Sequence, residues 1–285
     1  MSKPPPVFEH LGPHAHHPPV AACCRLTERV WLAYNDLAES NRLRDKHSRE
    51  FLILRMLYIA EITSSAVRLN ASWGLTHAAM SLLRDRYEQT LRFSWLVRNP
   101  DPQAFEKYDR TKFTKMGDLA RSTRPETRAH FEQLLGPLPA WATEAPTKEQ
   151  RAFFEEWSKL DLRSMGMKRD EFPALADEPI AKEKLGPWYD GIYAQFSSVS
   201  HYDRYSIELL TINKASDGRL ILGAQPNWPR MLILQNAHFD IIQCFEAAHI
   251  CHKVDSAAMF NAFLVEWAAI AKEIAPTTED IFRAP

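Results

Sequence analysis

The sequence predicts an all-α protein, a multi-helix bundle with one small β-hairpin as accessory. Three observations carry this. Apolar residues recur at helical spacing through several long segments. Prolines cluster between those segments rather than within them. Only nine glycines occur, none in a phosphate-cradling loop, and strand and helix patterns do not alternate as a doubly wound sheet requires.

Taken in chain order, residues 1–21 form a Pro/His-rich arm. Six of the 19 prolines and four of the 11 histidines fall in the first twenty positions without apolar periodicity, and such a stretch buries too little surface to repay its ordering entropy. The arm is expected to be flexible; it has neither the basic n-region nor the apolar run of a signal peptide. Residues 22–285 are expected to form a single helical domain. Leu26, Val30, Ala33 and Leu37 place an amphipathic helix over Cys23–Asp45. Phe51–Asn70 is apolar on nearly every side, the pattern of a central helix surrounded by others. Thr76–Asn99 is a third helix, ended by Asn99-Pro100, with Asp101 and Pro102 as the N-cap and first residue of a fourth. Proline-rich breaks over 120–147 and 163–187 flank a short helix over Lys148–Leu160. Trp188–Tyr205 is helical again. Ile207–Ile212 and Arg219–Leu222 then face each other across Ser216-Asp217-Gly218, a hairpin signal. Met231–His252 and Ala257–Ile274 close the bundle.

The charge balance, 35 basic against 36 acidic residues, excludes a polycation, so nucleic-acid contact would need a local patch. Charges interrupt every apolar run, which argues against a membrane span. Four cysteines, Cys23, Cys24, Cys244 and Cys251, two of them adjacent, suit a reducing cytoplasm better than a disulfide framework.

Two polar strips stand out. Arg84 and Glu88 are four apart on the third helix, and that spacing alone fits an intrahelical ion pair. Thr90, Ser94 and Arg98 lie near them in a helix that should be largely packed, and a polar seam inside a bundle must be satisfied or serve a site. Tyr193, Ser197 and His201 align at four-residue intervals on the Trp188–Tyr205 helix, with Arg204 three residues beyond. Histidine can move a proton near neutral pH, serine can fix its tautomer, and arginine can neutralise phosphate. The same strip also fits a core histidine satisfied by Ser197. No Gly-x-Ser-x-Gly elbow exposes Ser197 as a nucleophile.

The segments Leu83-Arg84-Asp-Arg-Tyr-Glu88, Asn99-Pro100-Asp101 and Tyr193-Ala-Gln-Phe-Ser197-Ser-Val-Ser-His201 resemble the bacterial family catalogued as domain of unknown function 5677. Its hallmarks are an Arg-x-x-x-Glu helix followed by a Ser-x-x-x-His helix. That family is similar to the HEPN (higher eukaryote and prokaryote nucleotide-binding) bundles, many of them metal-independent ribonucleases of toxin and phage-defence systems. The resemblance implies an HEPN-like bundle, a homodimer, RNA or a nucleotide as ligand, and an antitoxin or other protein partner. Active HEPN nucleases have Arg, then four to six residues, then His on one helix, and His201 has no such arginine. Arg42–His47 and Arg124–His130 match the spacing, but with 22 arginines and 11 histidines chance alone predicts about 2.5 matches.

The composite site expected from these residues has His201 as general acid/base and Arg84 on the phosphate. Glu88 would orient the arginine, Ser197 the histidine, and Arg204 and Tyr193 would hold the ligand. It needs no cofactor and no metal. One rival is a non-catalytic binding module in which the same residues fix helix register. Another is a helical metalloenzyme using Glu246-Ala-Ala-His249, although no second Glu-x-x-His accompanies it.

Overall fold

The computed structural model describes residues 10–40, 49–101, 160–173, 184–193, 212–214, 220–222 and 228–282, with Phe196 and scattered positions between 103 and 155. Helices dominate these residues: α1 (Pro18–Ser40), α2 (Arg49–Ser72), α3 (Thr76–Arg98), α4 (Leu162–Glu171), α5 (Trp228–Phe245) and α6 (Ala257–Phe282). Strands β1 (Ile212–Lys214) and β2 (Leu220–Leu222) pair antiparallel, Ile212 opposite Leu222. The expected turn at Ser216–Gly218 lies outside the described residues. No helix among the described residues is long and apolar enough to cross a membrane.

Part of the expected flexible arm, from residue 13 on, is ordered instead. Pro13–His16 forms a 3-10 turn and α1 opens at Pro18, since proline costs nothing in a first turn whose N–H groups have no helical partner. Ala15 and Val20 are buried, Gly12 N donates to Ser72 Oγ (2.9 Å), and Trp73 Nε1 donates to His10 O (3.1 Å). A Cβ on Gly12 would meet Ser72 O at 2.5 Å, so only glycine allows this approach to the end of α2.

Gly74 makes the turn between α2 and α3. Its φ of +74° sets the left-handed C′ position of a Schellman motif, closed by Leu75 N to Asn70 O (2.9 Å) and Gly74 N to Ala71 O (3.0 Å). The far end of α3 stops where Asn99 turns extended ahead of Pro100, and Asp101 Oδ1 caps the next turn at Gln103 N (2.9 Å).

The central helix is α5 rather than α2. α5 packs against α1, α2, α3 and α6 and is buried without interruption from Asn236 to Phe245, whereas α2 leaves Tyr58, Ile59, Ile62, Leu69 and Trp73 exposed. The sequence of α2 is apolar on two opposite faces. Ile53, Leu57, Ala60, Val67 and Ala71 are buried in the bundle, and the other face meets water. A short π-helical segment, Glu246–Cys251, extends α5 and ends at Lys253 in a left-handed conformation (φ 54°).

Candidate functional site

Polar residues on the buried face of α3 follow one stripe: Arg86, Thr90, Ser94 and Arg98 stand four apart and face α5. Across from them, Asp240 and Gln243 of α5 and Glu246 of the π segment complete two charge clusters. In the first, Arg86 donates to Asp240 Oδ1 (2.8 Å) and Gln243 Oε1 (2.7 Å), while Ser64 of α2 donates to Asp240 Oδ2 (2.6 Å) and Asn236 to Ser64 Oγ (2.8 Å). In the second, one oxygen of Glu246 accepts from Ser94 Oγ (2.7 Å), Arg98 Nε (2.5 Å) and the Arg169 guanidinium of α4 (2.9 Å). Side chains of Arg86, Asp240 and Glu246 are wholly buried.

Burial pushes the Asp240 carboxyl up, and Arg86, Ser64 and Arg68 offset this only in part. Burial opposes the charge of Glu246 as well, yet Arg98, Arg169 and Ser94 outweigh it and hold the carboxyl below its ordinary value. Removing one partner of such a pair strands the other in a low-dielectric interior, which makes the seam a strong determinant of which helix faces meet. The surroundings of Glu246 count against it as a metal ligand. The Glu246 carboxylate already holds two guanidinium ions, which would repel a metal cation, and His249 stacks its ring on Phe245 (5.1 Å, 14°).

The α4 end of the seam places the segment that carries Tyr193. Asp170 accepts from Leu185 N (2.9 Å) and Gly186 N (2.8 Å), Tyr87 Oη donates to Leu185 O (2.9 Å), and a Cβ on Gly166 would stand 2.8 Å from Gly186 Cα. Two glycines thus let the chain at 185–186 lie directly on α4. From there Trp188 leads into a π-helical turn, Tyr189–Tyr193, in which the two tyrosine rings stack (5.0 Å, 22°). Tyr193 also contacts Tyr87 (6.1 Å), and Tyr87 contacts Phe239 of α5.

Arg84 lies over this platform, its guanidinium carbon 5.0 Å from the Tyr193 ring centroid. It is half-buried, its Nε has no hydrogen-bond partner, and no carboxylate among the described residues pairs with it. The structure thus brings Arg84 and Tyr193, 109 positions apart, into contact. Glu88 departs from its expected role. It pairs with Arg92 (2.8 Å), because an acidic residue one turn before a basic one on a helix is the favoured order, and it does not orient Arg84. Ser197, His201 and Arg204 lie outside the described residues. Arg86, Asp240, Gln243 and Arg169 escaped the sequence reading; the four-residue spacing from Arg86 to Arg98 was the available signal.

Beside the platform, His238 of α5 stacks on Trp267 (4.3 Å, 17°) and meets Trp188 at a tilt (5.3 Å, 53°). Burial holds this imidazole down at about 4. A histidine whose folded value lies below its ordinary 6.5 contributes stability above pH 6.5 and loses it as pH falls towards 4. The loss amounts to about 3 kcal/mol by linkage. His238→Phe keeps the stack and removes the titration, so its stability in urea melts should decline less than wild type's between those pH values. Parallel pH profiles would assign the acid limb elsewhere.

Compared with known proteins, the chain matches no family model, no curated protein and no solved structure.

Proposed function

We propose that this protein binds a phosphodiester at Arg84 and Tyr193 and cuts RNA there without metal, as an HEPN-like bundle. The observation that carries the reading is the Arg84 guanidinium. It is half-buried, lies over the Tyr193 ring and forms no ion pair with a carboxylate among the described residues, so its charge is available to an anion. Stacked Tyr189 and Tyr193 beside it supply a face on which an unpaired base can lie. In the proposed reaction the 2′-oxygen attacks the adjacent phosphorus and the 5′-oxygen leaves, giving a 2′,3′-cyclic phosphate and a 5′-hydroxyl. His201, eight residues beyond Tyr193 in sequence, takes the 2′ proton or supplies the one the leaving oxygen needs. Ser197 orients its ring, Arg84 stabilises charge developing on the phosphate, and Arg204 adds a second contact. Glu88 has no part in it.

The non-catalytic module draws on a different observation: the Arg86–Asp240 and Glu246 clusters fix helix register from inside the bundle. These clusters leave Arg84 out, which separates the structural network from the anion site. Anisotropy of a labelled 2′-O-methyl oligoribonucleotide, which binds but cannot be cut, tests the anion site. Arg84→Ala should weaken binding by about 10- to 100-fold, the worth of a charge-assisted hydrogen bond, and Arg84→Lys by less. Equal affinity in all three proteins would remove Arg84 from the site.

A further inference from the structure

We infer that Asp170 is a positioning residue of the anion site: its carboxylate fastens the backbone at Leu185 and Gly186 to α4, and this latch sets where the Tyr189–Tyr193 turn meets Arg84. The inference rests on the phosphodiester reading of Arg84 and adds the residue that aligns that site. The latch is two-pronged. Asp170 Oδ1 accepts from Leu185 N (2.9 Å) and Oδ2 from Gly186 N (2.8 Å), so two successive backbone donors close on one carboxylate. The Asp170 side chain is only 9% exposed, which leaves water little access to compete for these bonds. Arg169 donates to the same Oδ1 (3.0 Å) and also to Glu246 (2.9 Å), tying the latch to the buried seam.

The connection from latch to platform is short and stiff. Gly186 O accepts from Tyr189 N (3.1 Å), so the residue that Asp170 holds also opens the tyrosine turn. Pro187 lies between them, its φ fixed by the ring. Tyr189 then stacks on Tyr193, and the Arg84 guanidinium carbon lies 5.0 Å from the Tyr193 ring centroid. The turn has no slack against α4 either. A Cβ on Gly186 would meet Asp170 Oδ2 and Met167 Sδ at 3.0 Å, and one on Gly166 would stand 2.8 Å from Gly186 Cα. Displacing Gly186 therefore displaces the ring beneath Arg84, and a binding site loosened by about 1 Å loses much of its worth.

Two variants test this. Asp170→Asn keeps the size of the side chain but turns an amide N–H towards one of the two backbone donors. Gly166→Ala leaves every hydrogen-bonding group in place, favours the helical state of α4, and pushes Gly186 away. The first readout needs no RNA: the Tyr193 ring displaces the NMR resonances of the Arg84 δ-protons by the amount that Tyr193→Leu removes. Both variants should lose most of that displacement while keeping the far-ultraviolet circular dichroism of wild type. In the second, anisotropy with the labelled 2′-O-methyl oligoribonucleotide, both should bind about 10-fold more weakly. A purely structural Asp170 gives the opposite pattern, a lower urea midpoint with displacement and affinity unchanged in the folded protein, and that result overturns the inference. Should Asp170→Asn fail to fold, Gly166→Ala decides by the same two readouts. If wild type binds no oligonucleotide, the phosphodiester reading fails, and the resonance displacement alone then supports or overturns the latch.

Discussion

Asp240→Ala is expected to lower the unfolding free energy by about 3–5 kcal/mol, a large part of what holds a domain folded. The wholly buried Arg86 would lose its carboxylate, with only Gln243 and a long contact to Gln89 left to solvate it, and Ser64 and Asn236 would lose a shared acceptor. Glu246→Ala should also be strongly destabilising, since it takes from Arg98 and Arg169 the carboxylate they share, although Arg169 keeps Asp170. The sign of the double substitution distinguishes this account from simple packing loss. Arg86→Met with Asp240→Leu removes both charges and fills the volume, so it should be more stable than either Arg86→Met or Asp240→Leu alone. Urea melts of the four proteins give the coupling directly. Additive losses would show that the ion pair contributes nothing beyond packing.

The second large effect falls on activity. Replacing His201 by alanine should reduce RNA cleavage by at least about 100-fold, the usual contribution of a positioned acid/base, and Arg84→Ala by a similar factor. Neither should move the urea midpoint as Asp240→Ala does. Arg84 makes no buried ion pair among the described residues, and a stability loss like that of Asp240→Ala would return it to the structural network. Arg84→Lys keeps the charge but loses the guanidinium that lies over Tyr193, so it should retain only part of the rate.

Much of the architecture was legible because it is local. The Asn99-Pro100-Asp101 corner, the periodicity of α3 and α5, and the polar stripe through Thr90, Ser94 and Arg98 can all be read within a few turns of one helix. Arg86 belongs to that stripe by spacing and lies on the opposite face of α3 from Arg84 and Glu88, two residues from each. The carboxylates that satisfy the stripe could not be read from the sequence. Asp240 is 154 positions from Arg86 and Glu246 is 148 from Arg98, so only tertiary packing joins them. α2 misled for a physical reason: a helix apolar on two faces reads as central, while this chain covers only one of them. The start of α1 was missed because histidine and proline density outweighed the fact that prolines suit a helix's first turn.

Of the expected composite site, Arg84, Glu88 and Tyr193 lie among the described residues. The resemblance singled out Arg84 and the Tyr193–His201 strip separately, and contact between Arg84 and Tyr193 joins the near end of one to the other. The most direct test of the account is incubation of end-labelled total RNA and tRNA with the purified protein in excess chelator, beside His201→Ala and Arg84→Ala. The account predicts cutting that survives chelation, leaves 2′,3′-cyclic phosphate ends and disappears in both variants. Intact RNA after incubation with folded wild-type protein, or cutting that persists in His201→Ala, would contradict it.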